Sequence, residues 1–419
     1  DTDATDTDSD GTQDCADDDI DGDGLRNDWD ADGYDDTVVR GLNAGLGTDG
    51  GLTVSGSELF GDYTLMDGGA GSGDDSFDVD DASALAVGDE VLVLSQQGSD
   101  AGQWQTVFVS GISSSTLTIE PPLDAAYSSS SVVLVQRVPH YTDVSISGTL
   151  GADDWTGSGG GVVAFRATGD VSVSGTIDVN GTGFEGGSGV NGNGSDPGQG
   201  EGWSGTGSTG TTSANANGGG SYPRRGDNAD SGGGGGHGSA GSAGTSYSGS
   251  SVTSGGAAAG DVDLATLVLG GGGGGGSPDT EGDGTSSSNY SGAGGDGGGL
   301  IAIWAGTSLS VTGTLDAGGQ DGDDASSAGG EVGAGGAGAG GTIWLASPTL
   351  TLTGSVEAEG GSGGTSAWHS GKPYGSAYGG DGGEGRVRVD YDSLNSVAWP
   401  SGDETLTEPD AGSENAWED

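Results

Sequence analysis

The sequence predicts an all-β protein: a β-solenoid or β-sandwich-like body, a small β-barrel-like unit, glycine-rich excursions of polyglycine-II type and an irregular N-terminus. Three observations predict it. One phrase of alternating apolar and hydroxyl residues recurs along the chain. Glycine supplies 98 of the 419 residues, about three times its usual share of roughly 7%, and each glycine inside a helix costs ~1 kcal/mol relative to alanine. Three Asp-rich phrases near the start share one spacing and no helical periodicity.

Residues 1–36 hold those phrases: Asp6-Thr7-Asp8-Ser9-Asp10-Gly11, Asp19-Ile20-Asp21-Gly22-Asp23-Gly24 and Asp28-Trp29-Asp30-Ala31-Asp32-Gly33. Alternate carboxylates in a tight loop converge on one point, which suits calcium and its six to eight oxygen ligands. The glycine permits the sharp turn, and the next carbonyl, of Thr12, Leu25 or Tyr34, faces the ion. Asp14 and Asp17 follow Asp6 by eight and eleven places, and Asn27 and Asp30 follow Asp19 by the same offsets. Asp36 stands at the first of these offsets from Asp28, but Val39 occupies the second, so the third site is incomplete or borrows a ligand. The stretch resembles thrombospondin type-three repeats, which wrap irregular chain around calcium. It differs from an EF-hand, since no Glu closes the loop. Cys15, the single cysteine, allows no disulfide within the chain.

Residues 37–70 read as a linker with one strand, Leu52–Leu59. It has no evident local partner, so it either closes the body of its own chain or, the version favoured, completes the open end of a neighbouring subunit by strand exchange. Residues 71–140 read as a compact sheet or small barrel. Its expected strands are 90–95, 104–110, 116–120 and 131–138, and the continuous run Val91-Leu92-Val93-Leu94 suits a strand covered on both faces. The phrasing around Gly88-Asp89 and Pro121-Pro122 resembles a module of bacterial surface and phage tail proteins.

Residues 141–391 carry the recurrent phrase at Val144–Leu150, Val171–Ile177, Leu309–Leu315 and Leu350–Val356, with apolar residues at alternate places. That is the period of a half-buried strand. Gly148, Gly175, Gly313 and Gly354 are expected to mark kinks or bulges. Strands 162–167, 300–305 and 342–346 precede the later three copies. Units of strand, turn and strand stacked in this way make a solenoid in which each rung covers the next. The corner glycines lie 27, 138 and 41 residues apart, so only the excursions vary, at 181–299, 317–341 and 358–385. Their runs, including seven successive glycines at Gly270–Gly276, are expected to pack backbone against backbone as extended threefold helices. Trp203, Tyr222, Tyr247, Tyr290, Trp368, Tyr374 and Tyr378 would plug gaps or face solvent. Residues 392–419 form an acidic tail.

The phrases "RVPHYTDVSISGTL", "GGVVAFRATGDVSVSGTIDVNGTGF" and "GGTIWL" resemble glycine-rich surface proteins of gliding and other environmental bacteria, some labelled motility-associated. That resemblance implies a cell-surface or extracellular, bacterial location, reached after removal of a signal peptide, and an architecture more than an activity.

Nine Lys and Arg against 64 Asp and Glu give a net charge of −55, which repels phosphate and argues against nucleic-acid binding. No apolar run approaches the ~18 residues of a membrane helix, so membrane insertion is not expected. Catalysis is not expected either. Carboxylate pairs are inevitable in so acidic a chain, and the cationic groupings are Arg224-Arg225 with Arg386 and Arg388. His140, His237 and His369 lack a metal-like spacing, and Ser362 among its glycines lacks a strand-to-helix turn. Asn180, Asn193 and Asn289 stand in glycosylation sequons. The first functional expectation is a secreted structural subunit that self-associates into an extracellular fibre or surface layer stiffened by calcium. The alternative is an adhesin that binds glycans through its exposed aromatics, and a carbohydrate-active enzyme comes third.

Overall fold

A computed structural model describes residues 42–192, 196–223, 230–246, 250–278, 289–327, 331–367 and 377–397, with backbone alone for 392–397 and 405–407. The expected calcium segment, with all its ligands from Asp6 to Asp36, lies outside the described residues, as do Cys15, Asn193, Arg224, Arg225, Tyr247, Trp368, His369 and Tyr374. Every regular element among the described residues is a β-strand.

The recurrent phrase folds as a parallel three-faced solenoid. Strands Val162–Ala167, Leu300–Ala305 and the first halves of Thr342–Leu352 and of Arg386–Val397 stack on the first face, flanked by His140–Tyr141 and Thr405–Thr407. The second face holds Leu52–Val54, Val144–Ile146, Asp170–Val173, Ser308–Val311 and the ends of Thr342–Leu352 and Arg386–Val397. Ser57–Phe60, Thr149–Ala152, Thr176–Asp178, Thr314–Asp316 and Ser355–Glu357 make the third. Equivalent residues stack in register: Val144 on Val171, Val171 on Leu309, Leu309 on Leu350. Alternation therefore sends one apolar set inward from every face. Phe165, Ile303, Leu309, Val311 and Leu315 meet there without solvent contact.

The corner glycines mark kinks rather than bulges. They form a column where the second face turns into the third. A Cβ at Gly148 would meet the carbonyl oxygen of Gly56 at 2.1 Å, one at Gly175 that of Gly148 at 2.1 Å, one at Gly313 that of Gly175 at 1.9 Å and one at Gly354 that of Gly313 at 1.9 Å. Each rung thus needs glycine because the carbonyl of the rung before occupies the side-chain position. The same carbonyls accept N–H donation from Thr149, Thr176, Thr314 and Ser355.

The strand expected to exchange is also placed differently. Leu52–Val54 and Ser57–Phe60 pair in parallel with Val144–Ile146 and Thr149–Ala152 of their own chain, and form its first rung. The barrel-like unit is a closed antiparallel six-stranded barrel that starts earlier than expected, at Tyr63–Asp67. The others are Ser76–Val79, Glu90–Gln97, Trp104–Ser113, Thr116–Glu120 and Val132–Val138. Within the covered run, Val91 and Val93 fill the barrel, whereas Leu92 and Leu94 face the solenoid and the glycine excursion.

The excursions pack as expected of threefold glycine helices. Gly270, Gly273 and Gly276 donate to Gly298, Gly295 and Gly292; Gly271 and Gly274 to Gly236 and Gly233; Gly272 and Gly275 to Glu201 and Gly198. Every third residue therefore addresses the same neighbour, the period of an extended helix with no internal hydrogen bonds. The run accepts in turn from Phe184 and Gly187, from Gly219, and from Gly336 and Ala339. A Cβ at any of Gly270–Gly276 would meet a backbone carbonyl oxygen at 2.0–2.4 Å. Close backbone approach replaces an apolar core here, and the buried amides are satisfied by one another.

Solenoid, barrel and glycine array share a second apolar cluster. Leu300, Ala302, Trp304 and Trp344 on the outside of the first face meet Leu92 and Leu134 of the barrel and Phe184, Leu264 and Leu269 of the array. First-face strands are consequently apolar on both sides, as strands covered on both faces must be. Gln96, Gln97 and Gln136 donate from the barrel to the carbonyls of Gly160, Gly202 and Val162.

Candidate functional site

The buried ionisable groups are structural. Glu90 of the barrel receives two hydrogen bonds from Arg166 of the solenoid, at 2.6 and 2.7 Å, and one from His140 Nε2 at 2.6 Å. The other ring nitrogen of His140 accepts from the Leu46 amide at 3.0 Å. Burial opposes ionisation of Glu90, but Arg166 and His140 outweigh it and hold the carboxyl down at about 2. Arg166 also lies over Trp304, 4.6 Å from the ring centre. This cluster clamps barrel to solenoid.

His237 is buried in the array, and its Nδ1 donates to the Gly340 carbonyl at 2.9 Å. Burial, helped by Arg386, lowers its pKa to about 4. Arg386 donates to the carbonyls of Ala259 and Gly260. Arg388 pairs with Asp390 at 2.9 Å and lies over Trp344. Both arginines brace the 259–263 loop against the first face. Among the described residues, no group of three or more His, Cys, Asp or Glu is placed to hold a metal ion. Of the sequons, Asn289 is fully buried, and Asn180 donates to Asp316 at 3.3 Å.

An open groove of about 710 Å³ lies at the end of the glycine array. Three neighbouring segments build it. Tyr290 bridges Asn191 on one side and Ser326 on the other, exchanging N–H···O bonds of 2.8 and 2.9 Å with Ser326. Ser291 locks the floor, since its hydroxyl accepts from the Val190 amide at 2.8 Å. Asp323 donates its N–H to the Ala293 carbonyl at 2.9 Å, and the Asp324 carboxylate accepts from the Thr365 amide at 2.7 Å. The Tyr290 side of the groove is unusually open, with the residue 54% exposed. Ser188, Asn191, Asp196, Thr209, Asp323 and Asp324 supply hydroxyl, amide and carboxylate groups around it, and among the described residues no Lys or Arg lines it.

Tyr290 is among the aromatics singled out from sequence, as are Trp203 and Tyr378, which are also exposed. Asp196, Asp323 and Asp324 are not legible as a set, because the segments that carry them are far apart in the chain. The identifiable signal was an aromatic within a stretch otherwise too small and polar to need one.

No family model matches the sequence, and no curated protein matches it. Among solved structures, the chain is similar to the tailspike Gp54 of Acinetobacter baumannii bacteriophage AP22, solved in complex with A. baumannii capsular saccharide. The identity is 12% and the TM-score 0.20, over 83% of this chain and 62% of that one. The chain therefore spans less than two thirds of the tailspike's length.

Proposed function

We propose that this protein is a surface module that binds saccharide in the groove around Tyr290. The observation that carries the reading is the exposed tyrosine, set among carboxylate, amide and hydroxyl groups on a backbone that cannot yield. A sugar ring offers an apolar C–H face to an aromatic ring and hydroxyls to carboxylates and amides, so a groove that recognises it needs both. Tyr290, Ser291, Asp323 and Asp324 are each hydrogen-bonded to a neighbouring segment, which lowers the ordering cost of binding. Acidic walls and a −55 net charge favour neutral saccharides over polyanionic ones. In this reading the calcium repeats and the extracellular location expected from sequence belong to a protein that works outside the cell.

A glycan array probed with the purified full chain, with and without Tyr290→Ala, tests the proposal. Neutral oligosaccharides should be retained by the native protein and lost, by about tenfold or more in affinity, with the variant. A lost aromatic contact of ~1.5 kcal/mol corresponds to that factor. Binding that is absent, or that is unaffected by Tyr290→Ala, would contradict it.

A further inference from the structure

The groove around Tyr290 runs across the segments of the glycine array rather than along them. Hydrogen bonds fix the order of those segments. Asp323 donates its N–H to the Ala293 carbonyl at 2.9 Å, which sets the Asp324 segment beside the Tyr290 segment. Ser291 donates to the Val190 carbonyl at 2.9 Å, which sets the Tyr290 segment beside the one that carries Ser188. Gly198 donates to the Ser188 carbonyl at 3.0 Å, which brings in the segment that carries Asp196. Thr209 bridges Gly198 and ends the series.

Extended segments joined by such bonds stand about 4.8 Å apart. The three steps from the Asp324 segment to the Asp196 segment therefore carry the groove across about 14 Å of surface. Each segment presents its own polar group: the Asp324 carboxylate, the Tyr290 hydroxyl on its ring, the Ser188 hydroxyl, the Asp196 carboxylate and the Thr209 hydroxyl. The neighbours at the two ends are exposed residues. One is Thr365, whose N–H donates to Asp324 at 2.7 Å, and the other is Ser208 beside Thr209.

A binding surface with a repeat suits a ligand with the same repeat. Equatorially linked pyranoses form an extended ribbon that advances by nearly one segment spacing per sugar, whereas chains with an axial linkage curve and lose the register. A ribbon laid across the segments meets the Tyr290 ring with the apolar face of one sugar. It offers the hydroxyls of the flanking sugars to Asp324 on one side and to Ser188 and Asp196 on the other. Ionised carboxylates accept strongly from such donors, and the amide bonds between segments hold the row in place before the ligand arrives.

We infer that the groove is a row of subsites for an internal stretch of an extended, neutral polysaccharide, with Tyr290 at a central subsite and Asp324 and Asp196 at the outer ones. The inference rests on the saccharide reading and narrows it: the ligand is a chain of several sugars gripped along its length rather than a single terminal sugar.

Calorimetric titration of the full chain with cello-, manno- and chito-oligosaccharides of increasing length tests it, with malto-oligosaccharides as the curved counterpart. Affinity for at least one of the extended series should rise by about tenfold or more from the disaccharide to the tetrasaccharide, as the outer subsites fill, and then level off. The malto-oligosaccharides should show no such rise. Asp196→Ala should flatten the rise, and Tyr290→Ala should weaken binding at every length. Affinity that is the same at all lengths, that rises equally with the curved series, or that Asp196→Ala leaves unchanged would overturn the inference while the saccharide reading stands. Retention of other neutral glycans on the array, with none of these extended series bound, would do the same. No binding of any glycan, in titration or on the array, would remove both.

Discussion

Ile303 and Gly273 show two ways in which a residue can be indispensable here. Ile303 is fully buried in the solenoid interior among Phe165, Leu345 and Val311. Ile303→Asp places an unpaired charge there and should cost several kcal/mol. A melting temperature equal to the native one would contradict the packing. Gly273 has no side chain to bury, yet its Cβ position is occupied by the Gly336 carbonyl at 2.1 Å. Gly273→Ala should therefore destabilise by about 1–3 kcal/mol through forced backbone displacement, although alanine is ordinarily the milder residue. A neutral result in chemical denaturation would mean that the array is looser than its hydrogen bonds imply.

His237 gives the residue scale a pH signature. Its pKa falls from 6.5 to about 4 on folding, so between those values the unfolded chain holds a proton that the native one lacks. Stability from this group is complete above pH 6.5, falls as the pH drops towards 4 and changes no further below that. The gap corresponds to roughly 3 kcal/mol. Asp230 acts in the opposite sense, because burial raises it from 3.8 to about 6. The informative quantity is thus the difference between native protein and His237→Gln. Stability measured from pH 7 to pH 4 should fall more steeply for the native chain, and equal slopes would remove His237 from the account. Glu90 enters lower, where stability from its ion pair declines from pH 4.5 towards 2.

At the scale of elements, the strands of the repeat are legible because period two is written directly in Val-Ser-Ile-Ser and Leu-Thr-Leu-Thr. The role of their glycines is not, because the carbonyl that excludes a side chain at Gly313 belongs to Gly175, 138 residues earlier. The barrel strand Tyr63–Asp67 escapes notice for a different reason. Thr64 and Met66 face inward while Tyr63 and Leu65 pack on the cluster between barrel and array, so the strand shows no apolar-polar alternation. Leu52–Val54 looked partnerless because its partner, Val144–Ile146, lies beyond the whole barrel. The groove is the least legible feature. Its acids read as ordinary solubilising charge until folding sets residues 188–191, 196, 290–293 and 323–324 side by side.

At the scale of the whole molecule, three units with different internal logic are joined by one cluster of tryptophans and leucines. Trp304 and Trp344 meet edge to face at 5.2 Å, and Trp104 of the barrel meets Trp344 at 5.5 Å. The Trp104 indole donates to the Leu264 carbonyl of the array at 2.9 Å, so Trp104→Ala should loosen barrel and array together, costing about 3–5 kcal/mol. Two separate calorimetric transitions in the native protein would argue against such coupling. The N-terminal repeats add a further expectation: calorimetric titration should register calcium binding at millimolar concentration or below. Asp8→Ala with Asp21→Ala should abolish most of it, and a native chain that gives no heat with calcium would refute the ladder.

The molecule depends most heavily on glycine acting as a core, with the Tyr290 groove held at its end. Amide hydrogen exchange across residues 267–278 tests this directly, since a peptide of that composition exchanges within seconds when it is a linker. Every amide from Gly270 to Gly276 donates to a carbonyl of another segment, so the peptide should remain protected for hours, comparably to the solenoid strand Leu300–Ala305. Exchange at the rate of an unstructured chain, while Leu300–Ala305 stays protected, would contradict it.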